Sequence, residues 1–117
     1  MARRVLIVDD HESFRRFARR LLEAAGYSVV GEAADGAEAI SRAQELSPDI
    51  VLLDVLLPDT TGFDVAEQFA KSGSAWDVVL TSSRSASDYG ERLERAPARG
   101  FISKGDLSPE ALEAVLA

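Results

Sequence analysis

The chain has 117 residues, a net charge of −7 and no cysteine. At 46% hydrophobic and 28% charged residues it can bury a single-domain core without disulfides or a structural metal. The acidic balance argues against nucleic-acid binding, which needs a basic footprint, and no run of about 18 apolar residues exists to span a membrane. Residues 1–117 read as one domain. Met1-Ala2-Arg3-Arg4 passes straight into a short apolar run, whereas a signal peptide needs a longer apolar stretch and a small-residue cleavage site. The expected compartment is therefore the cytoplasm.

Arg4 to Val8 is a β-branched-rich run that ends at Asp9-Asp10. From Ser13 to Ala25 the apolar residues Phe14, Phe17, Ala18, Leu21, Leu22 and Ala25 fall at helical spacing, and Gly26 stops the helix. Arg15, Arg16, Arg19 and Arg20 cluster there; they read as a solvated helix face, with a docking patch for an acidic partner as the alternative. His11, the only histidine, reads as a solvent-facing first-turn residue. Tyr27 to Glu32 is a second strand. Asp35-Gly36 opens a helix reaching about Leu46, with Pro48 just beyond.

Asp49 to Leu53 has no polar alternation, so both faces should be covered, as in a parallel sheet. Asp54 stands at its end, and Pro58 and Gly62 mark the loop beyond. Gly62 to about Ala70 is a third helix. Trp76 to Leu80 is a fourth strand, followed by Thr81-Ser82-Ser83. Ser87 to Arg95 is expected to be a weak helix, anchored only by Tyr89 and Leu93 and weakened by Gly90. Gly100 to Ser103 is a short fifth strand ending at Lys104. Ser108 caps a last helix with Pro109 at its first position. The alternation is (βα)5: an α/β fold with right-handed crossovers and helices on both faces of a doubly wound, five-stranded parallel sheet.

In open parallel sheets ligands bind beyond the C-terminal strand ends, where the strand order reverses. If the order is 2-1-3-4-5, Asp9-Asp10, Asp54, Thr81 and Lys104 converge on one crevice. Three carboxylates in one pocket repel one another. A hard dication such as Mg2+, with its preference for oxygen ligands, relieves this. The chemistry that fits is attack of a carboxylate on phosphorus to give an acyl phosphate, with charge on the transferred group stabilised by the cation and by the Lys104 ammonium, and with a hydrogen bond from the Thr81 hydroxyl.

These residues resemble the response-regulator receiver family of two-component signalling. The matching stretches are Val5 to Asp10 (VLIVDD), Asp49 to Asp54 (DIVLLD) with Pro58 and Gly62 behind it, Val78 to Ser82 (VVLTS) and Gly100 to Lys104 (GFISK). The resemblance implies a chemotaxis-regulator-like, flavodoxin-like sheet of order 2-1-3-4-5. It implies that Asp54 accepts a phosphoryl group from a sensor histidine kinase or a phosphotransfer protein. Asp10 would ligate Mg2+ directly, Asp9 mostly through water, and the Leu56 backbone carbonyl would complete the protein ligands beside Asp54. Thr81 and Lys104 would form the signalling pair and Phe101 the switch aromatic, here without the hydroxyl that many relatives carry. The output would be a partner-binding surface acting on an effector domain or target protein, with self-directed phosphoryl chemistry only and no enzymatic turnover of other substrates. Homodimerisation through the last two helices is common in the family but not compelled by these residues. Both a receiver cut from a longer regulator and a single-domain protein fit the sequence.

Gly105 follows Lys104 where many relatives have a cis-proline. A cis bond without proline costs about 3 kcal/mol, so a trans bond and a differently shaped loop are expected. Leu56 and Ser83 flank the route of the attacking water; neither is suited to orient it, and slow self-dephosphorylation is expected. Three other classes fit less well. A haloacid-dehalogenase-type phosphatase needs a second aspartate two residues after the nucleophile, where this chain has Leu56 after Asp54 and Glu12 after Asp10. A pseudo-receiver usually lacks a site residue, and all are kept here. A nucleotide-binding module needs a glycine-rich loop after the first strand.

Overall fold

A computed structural model describes residues 2–117. Its elements run β1 (Arg4–Val8), α1 (Glu12–Ala24), β2 (Ser28–Ala33), α2 (Gly36–Leu46), β3 (Ile50–Asp54), α3 (Gly62–Lys71), β4 (Asp77–Ser82), α4 (Glu91–Arg95), β5 (Gly100–Ser103) and α5 (Pro109–Leu116). The five strands are all parallel, in the order β2-β1-β3-β4-β5. This is the expected doubly wound sheet. The order reverses between β1 and β3, so the polar residues beyond their ends open onto one crevice.

β1, β3 and β4 are buried on both faces, which is why they carry almost no polar residue before their last positions. Alternate residues of each strand feed two separate cores. Leu6, Val8, Val51, Leu53, Val78 and Leu80 meet Ala39, Ala43, Phe63, Ala66 and Phe69 of α2 and α3. Val5, Ile7, Ile50, Leu52, Val79 and Ile102 meet Ala18 and Leu22 of α1 and Leu112 of α5. At about 25 cal/mol per Å2 of buried apolar surface, this two-sided burial is the main force holding the strand ends together.

Local signals set the element ends. α1 closes with two backbone bonds, Gly26 N–H to Glu23 O and Tyr27 N–H to Leu22 O, around Gly26 at φ +95. That left-handed turn suits glycine, which has no Cβ to clash. Asp35, Thr61 and Ser108 cap α2, α3 and α5 by accepting from the amides of Glu38, Asp64 and Ala111.

Strand and helix limits differ from the sequence expectation by a residue or two: β2 runs on to Ala33 and β4 takes in Thr81 and Ser82. The expected weak fourth helix is present, but its bounds are corrected. No continuous helix spans Ser87 to Arg95. A short 3-10 turn at Ala86–Asp88 is followed by Gly90 at φ +55 and then by the single turn of α4. Glycine at that φ breaks the helix, and no α4 side chain is fully buried to compensate. Among the described residues no peptide bond is cis, so Lys104–Gly105 is trans, and Lys104–Asp106 forms a 3-10 turn.

Candidate functional site

Every strand except β2 delivers functional groups at its C-terminal end. Asp9 follows β1 and is fully buried, while Asp10 beside it is exposed. Asp54 closes β3 and is 3% exposed. Thr81 is paired with Asp54 across the β3–β4 ladder and is 1% exposed. Lys104 follows β5 and reaches back across the sheet edge. Its ammonium lies 2.6 Å from Asp9 Oδ2 and 3.2 Å from Asp54 Oδ2. The same ammonium stands 4.7 Å from the centre of the Phe14 ring, so the aromatic face covers the cation on its other side.

The loop after β3 is drawn tight against the site. Leu56 N–H donates to Asp54 Oδ1 at 3.3 Å, and Gly62 N–H donates to Val55 O at 2.7 Å. A Cβ on Gly62 would stand 2.4 Å from the Asp54 carbonyl oxygen. Only glycine allows that approach. Asp59 ties the same loop to α2, its carboxylate accepting from the amides of Gly36 and Ala37.

Charge at the site is unbalanced. Burial, and then the neighbouring Asp9 carboxylate, raise the Asp54 pKa from 3.8 to about 6, against the pull of Lys104. Burial opposes the charge on Lys104, but bonding to Asp9 and Asp54 outweighs it and raises its pKa. One ammonium thus faces three carboxylates. Ligand atoms of Asp9, Asp10, His11 and Asp54 lie within 4.8 Å of one another. An all-oxygen set from three carboxylates is the donor chemistry that Mg2+ takes.

The Thr81 hydroxyl is buried and has no hydrogen-bond partner among the described residues. An unmade hydroxyl bond costs about 1–3 kcal/mol, so such a group marks a place where a polar ligand atom belongs. The residues present therefore fit both a hard cation and an oxyanion beside it.

All five side chains expected at the crevice, Asp9, Asp10, Asp54, Thr81 and Lys104, come together there. Leu56 lies on the adjoining loop and is 46% exposed. Phe101 is half-buried on β5, against Tyr89 at 6.1 Å between ring centres. One sequence reading is extended and one is corrected. His11 is exposed, but it also joins the acidic group, with Nδ1 3.0 Å from Asp9 Oδ1 and 3.1 Å from Asp10 Oδ1. The four arginines do not share one solvated face. Arg16 and Arg20 do face solvent, whereas Arg15 and Arg19 fold onto Glu32 of β2. No sequence signal placed Glu32 opposite them, because the pairing depends on how α1 crosses β2.

The sequence model described as "Response regulator receiver domain" matches residues 5–117. The response regulator GacA of Pseudomonas viridiflava is 35% identical over 113 residues, covering 96% of this chain and 53% of that protein. The chemotaxis protein CheY of Thermotoga maritima is 33% identical over 115 residues, covering 98% of this chain and 96% of that protein. The chain thus spans about half the length of the GacA relative and nearly the whole of the CheY relative. Among solved structures, the signal receiver domain of the response regulator NarL from Mycobacterium tuberculosis superposes with a TM-score of 0.87 at 33% identity, covering 98% of this chain and 94% of that one. CheY4 of Vibrio cholerae does so with a TM-score of 0.85 at 29% identity, covering 99% and 97%. The sheet order, the polar residues at the strand ends and these matches agree: the chain belongs to the response-regulator receiver family.

Proposed function

We propose that Asp54 is the phosphoacceptor of a magnesium-dependent switch. The observation that carries this reading is the pairing of Asp54 with a buried, unpartnered Thr81 hydroxyl, with the Lys104 ammonium already on the Asp54 carboxylate. Asp54 attacks phosphorus of a phosphohistidine on a sensor kinase or phosphotransfer protein. A P–O bond forms, the P–N bond breaks, and the departing imidazole keeps the electron pair and takes up a proton. Asp10, Asp54, the Leu56 carbonyl and, through water, Asp9 would hold the cation. When bound, Mg2+ supplies positive charge against the transferred oxygens. Lys104 shifts from the Asp54 carboxylate onto a phosphoryl oxygen, and the Thr81 hydroxyl donates to another.

The switch follows from the Thr81 movement. Thr81 and Phe101 are on adjacent strands, and Phe101 packs edge-on against Tyr89 beside the short, weakly buried α4. Drawing Thr81 toward the phosphoryl group frees room behind it, and Phe101 reorients into that room. The surface of α4 and β5 then changes shape for an effector domain, a target protein or a second copy of the chain. The chemistry is confined to the chain's own aspartate, so it is a switch rather than an enzyme with turnover. The cytoplasm, where histidine kinases present their phosphohistidine, is the compartment this reading requires. No helix among the described residues is long and apolar enough to cross a membrane.

Intact mass after incubation with acetyl phosphate tests the reading. One added phosphoryl group is expected, dependent on Mg2+ and absent in Asp54→Ala. Labelling that persists in Asp54→Ala would overturn it.

A further inference from the structure

The acid pair stands on the turn that leads from β1 into α1. His11 is the N-cap of α1, yet its side chain makes no capping bond. Inside the turn the Asp9 carboxylate accepts from His11 N–H at 2.8 Å, and the turn is also held from its flanks. Asp9 N–H donates to Ala33 O of β2 at 3.0 Å, and the Asp9 carbonyl accepts from Arg15 Nη1 at 2.6 Å. The same guanidinium donates through Nε to Glu32 Oε1 at 2.9 Å. Glu32 precedes Ala33 on β2 and is in register with Ile7 of β1. The Arg15 side chain is only 16% exposed.

Glu32 is itself fixed. Its other oxygen accepts from Arg19 Nε at 2.8 Å. Burial pushes the Glu32 pKa up, and hydrogen bonds from Arg19 and Arg15 bring it to a net value below the usual range. The carboxylate is therefore ionised at neutral pH and keeps both arginines oriented.

We propose that Arg15, clamped by Glu32, is the positioning residue of the cation site: by holding the Asp9 carbonyl it sets the angle at which the Asp9–Asp10 turn presents its carboxylates. This rests on the magnesium reading above. Arg15 touches neither the cation ligands' carboxylates nor Asp54 and acts only through the turn. The role needs a rigid fork that serves two acceptors at once, which a lysine ammonium on a flexible stem does not provide. Groups that orient metal ligands from outside commonly change metal affinity by about 10–100-fold when removed.

Charge and positioning predict opposite signs. Removing a guanidinium close to an anionic pocket should by charge alone tighten cation binding. Loss of positioning should weaken it. Mg2+ titration by calorimetry, with melting in EDTA measured alongside, separates the two in Arg15→Met, Arg15→Lys, Glu32→Gln and the control Arg19→Met. Arg19 shares the Glu32 clamp but does not touch the Asp9 carbonyl. Weakening of about tenfold is expected in Arg15→Met and Arg15→Lys, less in Glu32→Gln, and under about twofold in Arg19→Met. Arg15→Met combined with Glu32→Gln should be no worse than Arg15→Met alone. Unchanged or tighter Mg2+ binding in Arg15→Met, or equal weakening in Arg15→Met and Arg19→Met, would overturn the inference while leaving the magnesium reading intact. If Arg15→Met fails to fold, Arg15→Lys decides, because it keeps the charge and only a loss of positioning would weaken Mg2+ binding. No Mg2+ binding by the unsubstituted chain would overturn both.

Discussion

Asp54 and Thr81 are register partners across the β3–β4 ladder, one carrying a buried carboxylate and the other a buried hydroxyl with no hydrogen-bond partner among the described residues. Their adjacency in space, 27 residues apart in the chain, is made by the parallel crossover through α3. The pair concentrates the strain of the site in two side chains whose needs a single phosphoryl group would meet.

Thr81→Val should separate stability from function. It replaces an unsatisfied hydroxyl with a methyl group of similar shape, so the fold should be unchanged or more stable by about 1 kcal/mol in urea unfolding. Mg2+-dependent labelling by acetyl phosphate should nevertheless slow or yield a shorter-lived product. A loss of more than about 2 kcal/mol of stability would mean that the hydroxyl already has a partner.

The metal-free protein should have an unusual pH profile. Asp54 is raised to about 6 in the folded chain and returns to about 3.8 on unfolding. Between those values the folded state binds more protons, so this group's contribution to stability falls as pH rises from about 4 through about 6. Asp54→Asn removes the effect. In EDTA it should exceed the parent by about 1–3 kcal/mol above pH 7, with the gap closing below about pH 4 and narrowing when Mg2+ is added. A gap that ignores pH would contradict the assignment of the titration to Asp54.

Two glycines in neighbouring loops should respond oppositely to alanine. At Gly62 the new Cβ meets the Asp54 and Val55 backbone, which cannot swing aside. We expect a loss of about 2 kcal/mol or more, together with weaker Mg2+ binding. At Gly105 a Cβ meets nothing within 4 Å and the backbone is not left-handed. There the change should be neutral or slightly stabilising. Similar losses at both sites would mean that the loops are not packed as described.

The phosphoryl group should be long-lived, because the exposed Leu56 has no polar side-chain atom and the short, exposed Ser83 side chain is not suited to orient a hydrolytic water strongly. Placing an amide or carboxylate there, as in Leu56→Asn or Leu56→Glu, should shorten the lifetime several-fold in a chase after removing the donor. A lifetime of seconds in the unsubstituted chain would refute this.

Much of the architecture was legible in local chemistry. The unbroken apolar run of β3, the caps Asp35 and Ser108, Gly26 after α1 and the polar residues at the ends of β1, β3, β4 and β5 all act within a few residues of themselves. Their joint placement carried the crevice, since the order β2-β1-β3-β4-β5 sets the ends that carry Asp9, Asp54, Thr81 and Lys104 side by side. The expected weak fourth helix is present but confined to Glu91–Arg95, shorter than its sequence bounds. Gly90 adopts a left-handed turn there, and too little of the helix is buried to override it.

What the sequence by itself determined is therefore the sheet, its two-sided cover and the identity of the crevice residues, because apolar periodicity and strand-end chemistry are short-range properties. Tertiary structure alone decided that Arg15 belongs to Glu32 and the Asp9 carbonyl rather than to solvent. It alone drew His11 into the acidic group and left the Thr81 hydroxyl without a partner. Those outcomes depend on how helices seat on strands far away in the chain, and side-chain bonds of that kind exist only once the hydrophobic layers have fixed the crossing geometry.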